Sequence, residues 1–189
     1  QRRTLAEIAR DMELKGSEPY AMARMVQGDV GSGKAAVAMG AMLLAAQSGY
    51  QSALMAPTEI LARQHYQGLA PLLARFSIRC ALLTGSTTAK TKRSITQQLE
   101  SGEIDFAIGT HALITGSVAY RDLGLVVTDE QHRFGVAQRA ELAAKGDHPH
   151  ILVMSATPIP RTLNMALSGI RDMSTIEEPP HDRQPVQTY

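Results

Sequence analysis

Gly28-Asp29-Val30-Gly31-Ser32-Gly33-Lys34-Ala35 is the stretch of this chain whose residue types and spacing most directly describe chemistry. It follows the pattern Gly-x-x-x-x-Gly-Lys-[Ser/Thr]. There, backbone N–H groups cradle a nucleotide's phosphates and the lysine reaches the β and γ oxygens. Gly28, Gly33 and Lys34 hold the defining positions, with Asp29, Gly31 and Ser32 between them. The last position departs from the pattern. Its Ser/Thr hydroxyl ligates Mg²⁺, and Ala35 has no oxygen to offer. The octapeptide therefore indicates ATP or GTP binding, with hydrolysis impaired more than recognition. A glycine turn without a ligand is the alternative, and the flanks argue against it. The apolar run Ala23–Gln27 suits a buried strand, Ala35–Gln47 is rich in helix formers, and Gly49 marks a C-terminal stop.

A second group of chemically capable residues lies about a hundred positions on. Leu125-Val126-Val127-Thr128 is an apolar strand that runs into Asp129-Glu130-Gln131-His132. Ligands of open α/β sheets bind beyond the carboxyl ends of the strands. Asp129 is suited to hold Mg²⁺, directly or through water, and Glu130 to orient and deprotonate an attacking water. The alternative is that both acids only cap the next helix or face solvent. The other five of the six histidines, His65, His111, His148, His150 and His181, lack metal-ligand spacing, and none is read as a ligand. Cys80 stands in the mostly apolar run Ile78–Leu83 and reads as an inert strand residue.

These residues need a scaffold, and the chain supplies an alternating one. Strands are expected at Ala23–Gln27, Ser52–Ala56, Arg79–Thr84, Asp105–Gly109, Leu123–Thr128 and His150–Ser155. Helices are expected at Ala35–Gln47, Glu59–Arg75, Lys90–Glu100, Val136–Lys145 and Pro160–Ser168, and the N-terminus also carries a helical pattern. Pro71 is expected to break or kink the second of the listed helices. Near-continuous apolar strands alternating with helices specify an α/β fold, a mainly parallel sheet with helices on both faces. At 189 residues, 44% hydrophobic and 20% charged, the chain can bury a substantial core. The net charge of +1 excludes a polycation that coats nucleic acid, and 4% aromatic content with no Trp argues against base-stacking platforms. Contacts to a phosphate backbone through small polar loops remain open. No apolar run is long enough for a membrane span, and a cytosolic location is expected.

QGDVGSGK, LMAPTEILARQH, IGTHALI, TDEQHRFGV and SATPIPRTL stand in the order and spacing of superfamily 2 helicases and translocases, in the class whose second motif reads Asp-Glu-x-His. The chain most resembles RecG-type branched-DNA helicases of bacteria. The resemblance covers essentially its whole length as a first RecA-like P-loop lobe. It implies a lobe over residues 1–175 and a linker over 176–189 toward a second RecA-like lobe, with a wedge domain elsewhere. It further implies ATP and Mg²⁺ as cofactors, branched or double-stranded DNA as partner, a monomer, and a bacterial cytoplasmic setting. By the same resemblance Pro57, Thr58, Thr84, Gly85, Thr110 and His111 contact the DNA backbone. Gln131 and His132 sense the γ-phosphate, and Ser155 and Thr157 couple hydrolysis to motion. Gln1 matches an adenine-recognising glutamine.

Each small loop, taken by itself, also reads as a plain strand-ending turn, and Ser155 or Thr157 as a helix cap. Other readings of the chain are the lobe of a transcription-repair coupling translocase, which shares GTH, HRFG and TPIPRT, and a nucleotide-binding module that has lost hydrolysis at Ala35. An RNA helicase is disfavoured by the HRFG and TPIPRT runs. Without a second lobe to supply an arginine finger, a contribution of about 10³–10⁵ in rate, the isolated lobe is expected to be nearly inactive.

Overall fold

A computed structural model of the chain describes residues 1–13, 21–29, 31–130, 136–156 and 172–176, with only the backbone of Glu130 and Val136. Seven strands form one sheet: β1 (Ala23–Gly28), β2 (Gln51–Met55), β3 (Cys80–Leu83), β4 (Phe106–Gly109), β5 (Leu123–Glu130), β6 (His150–Ser155) and β7 (Asp172–Ile176). Their spatial order is β3-β4-β2-β5-β6-β1-β7, and every pairing is parallel. The helices are α1 (Arg2–Glu13), α2 (Lys34–Gln47), α3 (Glu59–Ala74), α4 (Ala89–Ser101) and α5 (Val136–Ala143), with a 3-10 turn at His111–Ile114.

Side chains alternate across the strands and feed a core on each face. Leu54, Phe106, Ile108, Leu125, Val127, Leu152 and Met154 join residues of α1, α2 and α3 on one face. Ala53, Met55, Leu83, Ala107 and Val126 meet Leu99 of α4, Leu113 and Leu142 of α5 on the other. Burial on both faces explains why these strands read as unbroken apolar runs. Burial likewise pushes the Cys80 thiol up to about 12, so it stays protonated and inert, in agreement with its reading as a strand residue.

Two expectations are corrected. Helix α3 runs through Pro71 to Ala74 without a break. The proline falls in the last turn, where its missing N–H orphans only the carbonyl of the exposed Gln67. Strand β7 was not anticipated at all. Asp-Met-Ser-Thr-Ile contains no apolar run, and it pairs only with β1, at the sheet edge. The expected helix at 160–168 lies outside the described residues.

Helix α1 is tied to this edge by a half-buried ionic cluster. Arg24 of β1, 8% exposed, donates to Asp11 at 2.6 and 2.8 Å, to Glu7 at 3.3 Å and to the Ser174 hydroxyl of β7 at 2.7 Å. Deleting one member of such a pair strands the other charges. Arg24→Met should lower the unfolding free energy of the chain by about 2–4 kcal/mol, the partly exposed acids trimming the cost of a fully buried pair. Urea denaturation checks this, and a change below about 0.5 kcal/mol would mean the cluster is only a surface contact.

Candidate nucleotide and polynucleotide site

Parallel strands deliver all their C-terminal ends to one edge, and the register sets these ends level with one another. Leu83, Gly109, Met55, Thr128, Val153 and Met25 lie in one row across six strands. Two residues further, Glu130, Ser155, Gln27 and Thr175 form a second row. The C-terminal ends of β5, β6 and β1 therefore adjoin in one half of the edge, and those of β3, β4 and β2 in the other.

In the first half, β1 ends at Gly28 and the chain turns into α2. Gly31 and Gly33 take left-handed φ values of 81° and 89°, and Ser32 N–H donates to the Asp29 carbonyl at 3.1 Å. Such a turn directs successive N–H groups inward and makes an anion-binding concavity. Gly33 is required twice over, by its φ and because a Cβ there would run into the Gln1 side chain. Gln1 itself donates from Nε2 to the Ser32 carbonyl at 3.0 Å. It can reach because α1 packs closely on α2, Leu5 lying where a Cβ of Gly40 would stand. The first turn of α2 has no side-chain cap and no acid, so its dipole end is free for an anion. Lys34 donates from Nζ to the carbonyls of Gly28 at 2.6 Å and Asp29 at 2.7 Å. Burial lowers its pKa, while Asp129 and Asp29 oppose that shift.

Asp129 stands at the end of β5 and bonds to a residue that motif spacing did not assign. His65 Nε2 lies 2.7 Å from Asp129 Oδ2, each side chain 15% exposed. The bond joins positions 64 apart, so no local spacing rule could find it; only the placement of α3 across the sheet creates it. His65 is thus a partner of a carboxylate. Both residues line a cavity of about 560 Å³ together with Gly31, Gly33, Lys34 and Ala35. The hydroxyl of Ser32, in the loop beside it, is buried and without a partner among the described residues. Glu130 continues β5, and Ser155 is buried at the end of β6. Gln131, His132 and Thr157 lie outside the described residues.

The second half holds the other loops. Thr58, exposed, caps α3 by accepting from Leu61 N–H at 3.3 Å. Glu59 accepts from the hydroxyls of Thr84 (2.7 Å) and Ser86 and from Arg63 at 3.2 Å, which binds the loop after β2 to the loop after β3. Thr84 is buried, whereas Gly85, Ser86 and Thr88 of that loop are exposed. Gly109 lets β4 pass against the Leu83 carbonyl, which any Cβ would strike. Thr110 is half-buried, His111 is exposed at the start of the 3-10 turn, and Pro57 is half-buried. The described members of the expected set thus fall at two adjoining parts of one sheet edge.

Residues 1–166 match the DEAD/DEAH box helicase family. The chain belongs to that family. It is 53% identical over 188 residues to the ATP-dependent DNA helicase RecG of Synechocystis sp. and 51% identical over 189 residues to that of Bacillus subtilis. All of this chain is covered in both, but only 22% and 27% of those relatives, so it spans about a quarter of their length. A solved structure of RecG bound to a three-way DNA junction superposes with a TM-score of 0.82 at 44% identity, covering 97% of this chain and 24% of that one. The Pyrococcus furiosus Hef helicase domain, with a TM-score of 0.62 at 19% identity over 88% of this chain and 38% of that one, shares the fold. The α/β class expected from the strand–helix alternation is the observed one, and the fold is the RecA-like helicase lobe that the resemblance implied. Among the described residues no helix is long and apolar enough to cross a membrane.

The Ser86 and Thr84 hydroxyls and Arg63 hold the Glu59 carboxyl below its ordinary value of 4.5. A depressed folded-state pKa means the tie is fully present above about 4.5 and is lost as pH falls from there through the lower folded value. An NMR titration of the Glu59 carboxyl carbon should show a midpoint below 4.5, with the Ser86 amide shifting in step. A midpoint at or above that value would dissolve the link between the two loops.

Proposed function

We propose that this chain is the first motor lobe of an ATP-dependent double-stranded DNA translocase that acts on branched DNA, regressing forks and migrating junctions in recombination and repair. The observation that carries the reading is the division of one sheet edge. The phosphate loop and Asp129 occupy one half, and three small polar loops occupy the other. Their neighbour relation is set by strand register.

In this reading the loop from Gly28 to Lys34 and the start of α2 bind the phosphates of ATP, and Lys34 reaches the β and γ oxygens. Glu130 orients and deprotonates water, Gln131 and His132 sense the γ-phosphate, and Ser155 and Thr157 couple the site to motion. Pro57, Thr58, Gly85, Thr110 and His111 meet the DNA backbone, with Thr84 supporting Gly85 from beneath. Hard oxygen donors suit Mg²⁺, which commonly takes one carboxylate together with phosphate and water. The half-buried Asp129, on the cavity wall with Lys34, fits that demand and would hold the ion, directly or through water. When bound, Mg²⁺ neutralises charge on the phosphates. A second RecA-like lobe and a wedge domain of the same protein would complete the motor, working as a cytoplasmic monomer over residues 1–175 of this chain and the linker that follows. The lobe alone is then nearly inactive. The RecG relatives favour this reading over a transcription-repair translocase.

Ala35 supplies the test. In the full-length protein, Ala35→Thr should raise DNA-stimulated kcat by about 10–100-fold while ATP affinity changes less than about threefold. Fork DNA should stimulate hydrolysis more than RNA. An unchanged rate would mean that water already fills the metal position, and no single-turnover hydrolysis in either variant would make the chain a binding module.

A further inference from the structure

Helix α3 begins in the polynucleotide half of the edge and ends its second turn in the nucleotide half. Its first residues, capped by Thr58, tie to Thr84 and Ser86 through Glu59. Two turns on, His65 meets Asp129. The helix cannot swing freely between these ends, because Ala62, Leu69 and Leu73 are buried on the face that packs on β3 and β4. The imidazole is therefore delivered to the carboxylate by a fixed element.

The bond divides the labour of one carboxylate. An ionised Asp has only acceptor oxygens, so the proton between the two groups sits on His65 Nε2. Oδ2 is engaged, and this is the only hydrogen bond the Asp129 side chain makes among the described residues. Oδ1 is left as the oxygen for an outside ligand. A half-buried carboxylate with one oxygen pinned has lost its rotation about χ2, and carboxylates that hold metals are commonly fixed by such outer hydrogen bonds. Nothing in Ala35 adds a second anchor for the ion. More of the metal's placement therefore falls on Asp129, and so on whatever orients it.

We propose that His65 is a positioning residue for Asp129: it pins Oδ2 and turns Oδ1 toward the Mg²⁺ that accompanies ATP. The proposal rests on the nucleotide reading of the loop at Gly28–Lys34 and goes beyond it by assigning a role on α3. A merely structural His65 would also fill space between α3 and β5, and the variants separate the two. Glutamine carries its amide nitrogen where His carries Nε2, leucine keeps the volume without a donor, and asparagine keeps a donor that falls short.

The experiment is equilibrium titration of a fluorescent ATP analogue onto the full-length protein, with and without graded Mg²⁺. His65→Leu and His65→Asn should each raise the Mg²⁺ concentration for half-maximal tightening by about tenfold. Affinity without metal should stay within about twofold, and His65→Gln should stay near the parent. Steady-state hydrolysis should follow, with kcat at low Mg²⁺ reduced and recovered by excess metal. An unchanged Mg²⁺ dependence in His65→Leu would overturn the proposal while leaving the nucleotide site standing. So would a glutamine variant as defective as the leucine one, since only shape would then matter. A parent protein that binds the analogue neither with nor without Mg²⁺ would overturn the nucleotide reading and this inference together.

Discussion

Parallel pairing in fixed register is the constraint on which the rest of this molecule depends. It brings the ends of β5, β6 and β1 level, so that Glu130, Ser155 and Gln27 share a row although they are far apart in sequence. A slip of one residue in any strand would turn its apolar set to the wrong face. Two buried cores make that slip prohibitive, and the edge inherits their precision. The loops need no rigidity of their own beyond a few glycines and caps.

Electrostatics at the nucleotide half follows from that placement. Lys34 and Asp129 come from different elements and are brought within each other's field, and burial shifts the lysine toward its neutral form against the pull of Asp129 and Asp29. An uncapped helix start and two left-handed glycines add N–H groups that favour an anion. The Arg24 cluster acts at one remove, since it holds α1 where Gln1 can touch the loop. The same logic operates in the other half, where Glu59 gathers hydroxyls from a neighbouring loop instead of leaving each loop to find its own shape.

Much of this was legible in the residues themselves. Strands with both faces buried announce themselves as apolar runs, and β5 and β6 begin at the residues expected from theirs. The phosphate loop is legible because its chemistry demands particular residues in a contiguous stretch. Three features were not. Strand β7 is an edge element whose pattern is half polar, so it carries no strong periodic signal. Pro71 reads as a breaker, yet a helix's final turn tolerates it. His65 has no motif-level signature as a partner for Asp129, because its role arises only when α3 is laid across the sheet. Local patterns report local demands, and contacts between elements stay hidden until the register is known.

The division of the sheet edge is the arrangement on which site and function both rest. Hydrogen–deuterium exchange on the full-length protein, with a non-hydrolysable ATP analogue or forked DNA added separately, measures it directly. Nucleotide should slow exchange at 28–36 and 128–130, and DNA should slow it at 57–60, 84–88 and 109–112. Protection by DNA confined to the first set, or by nucleotide to the second, would contradict that division.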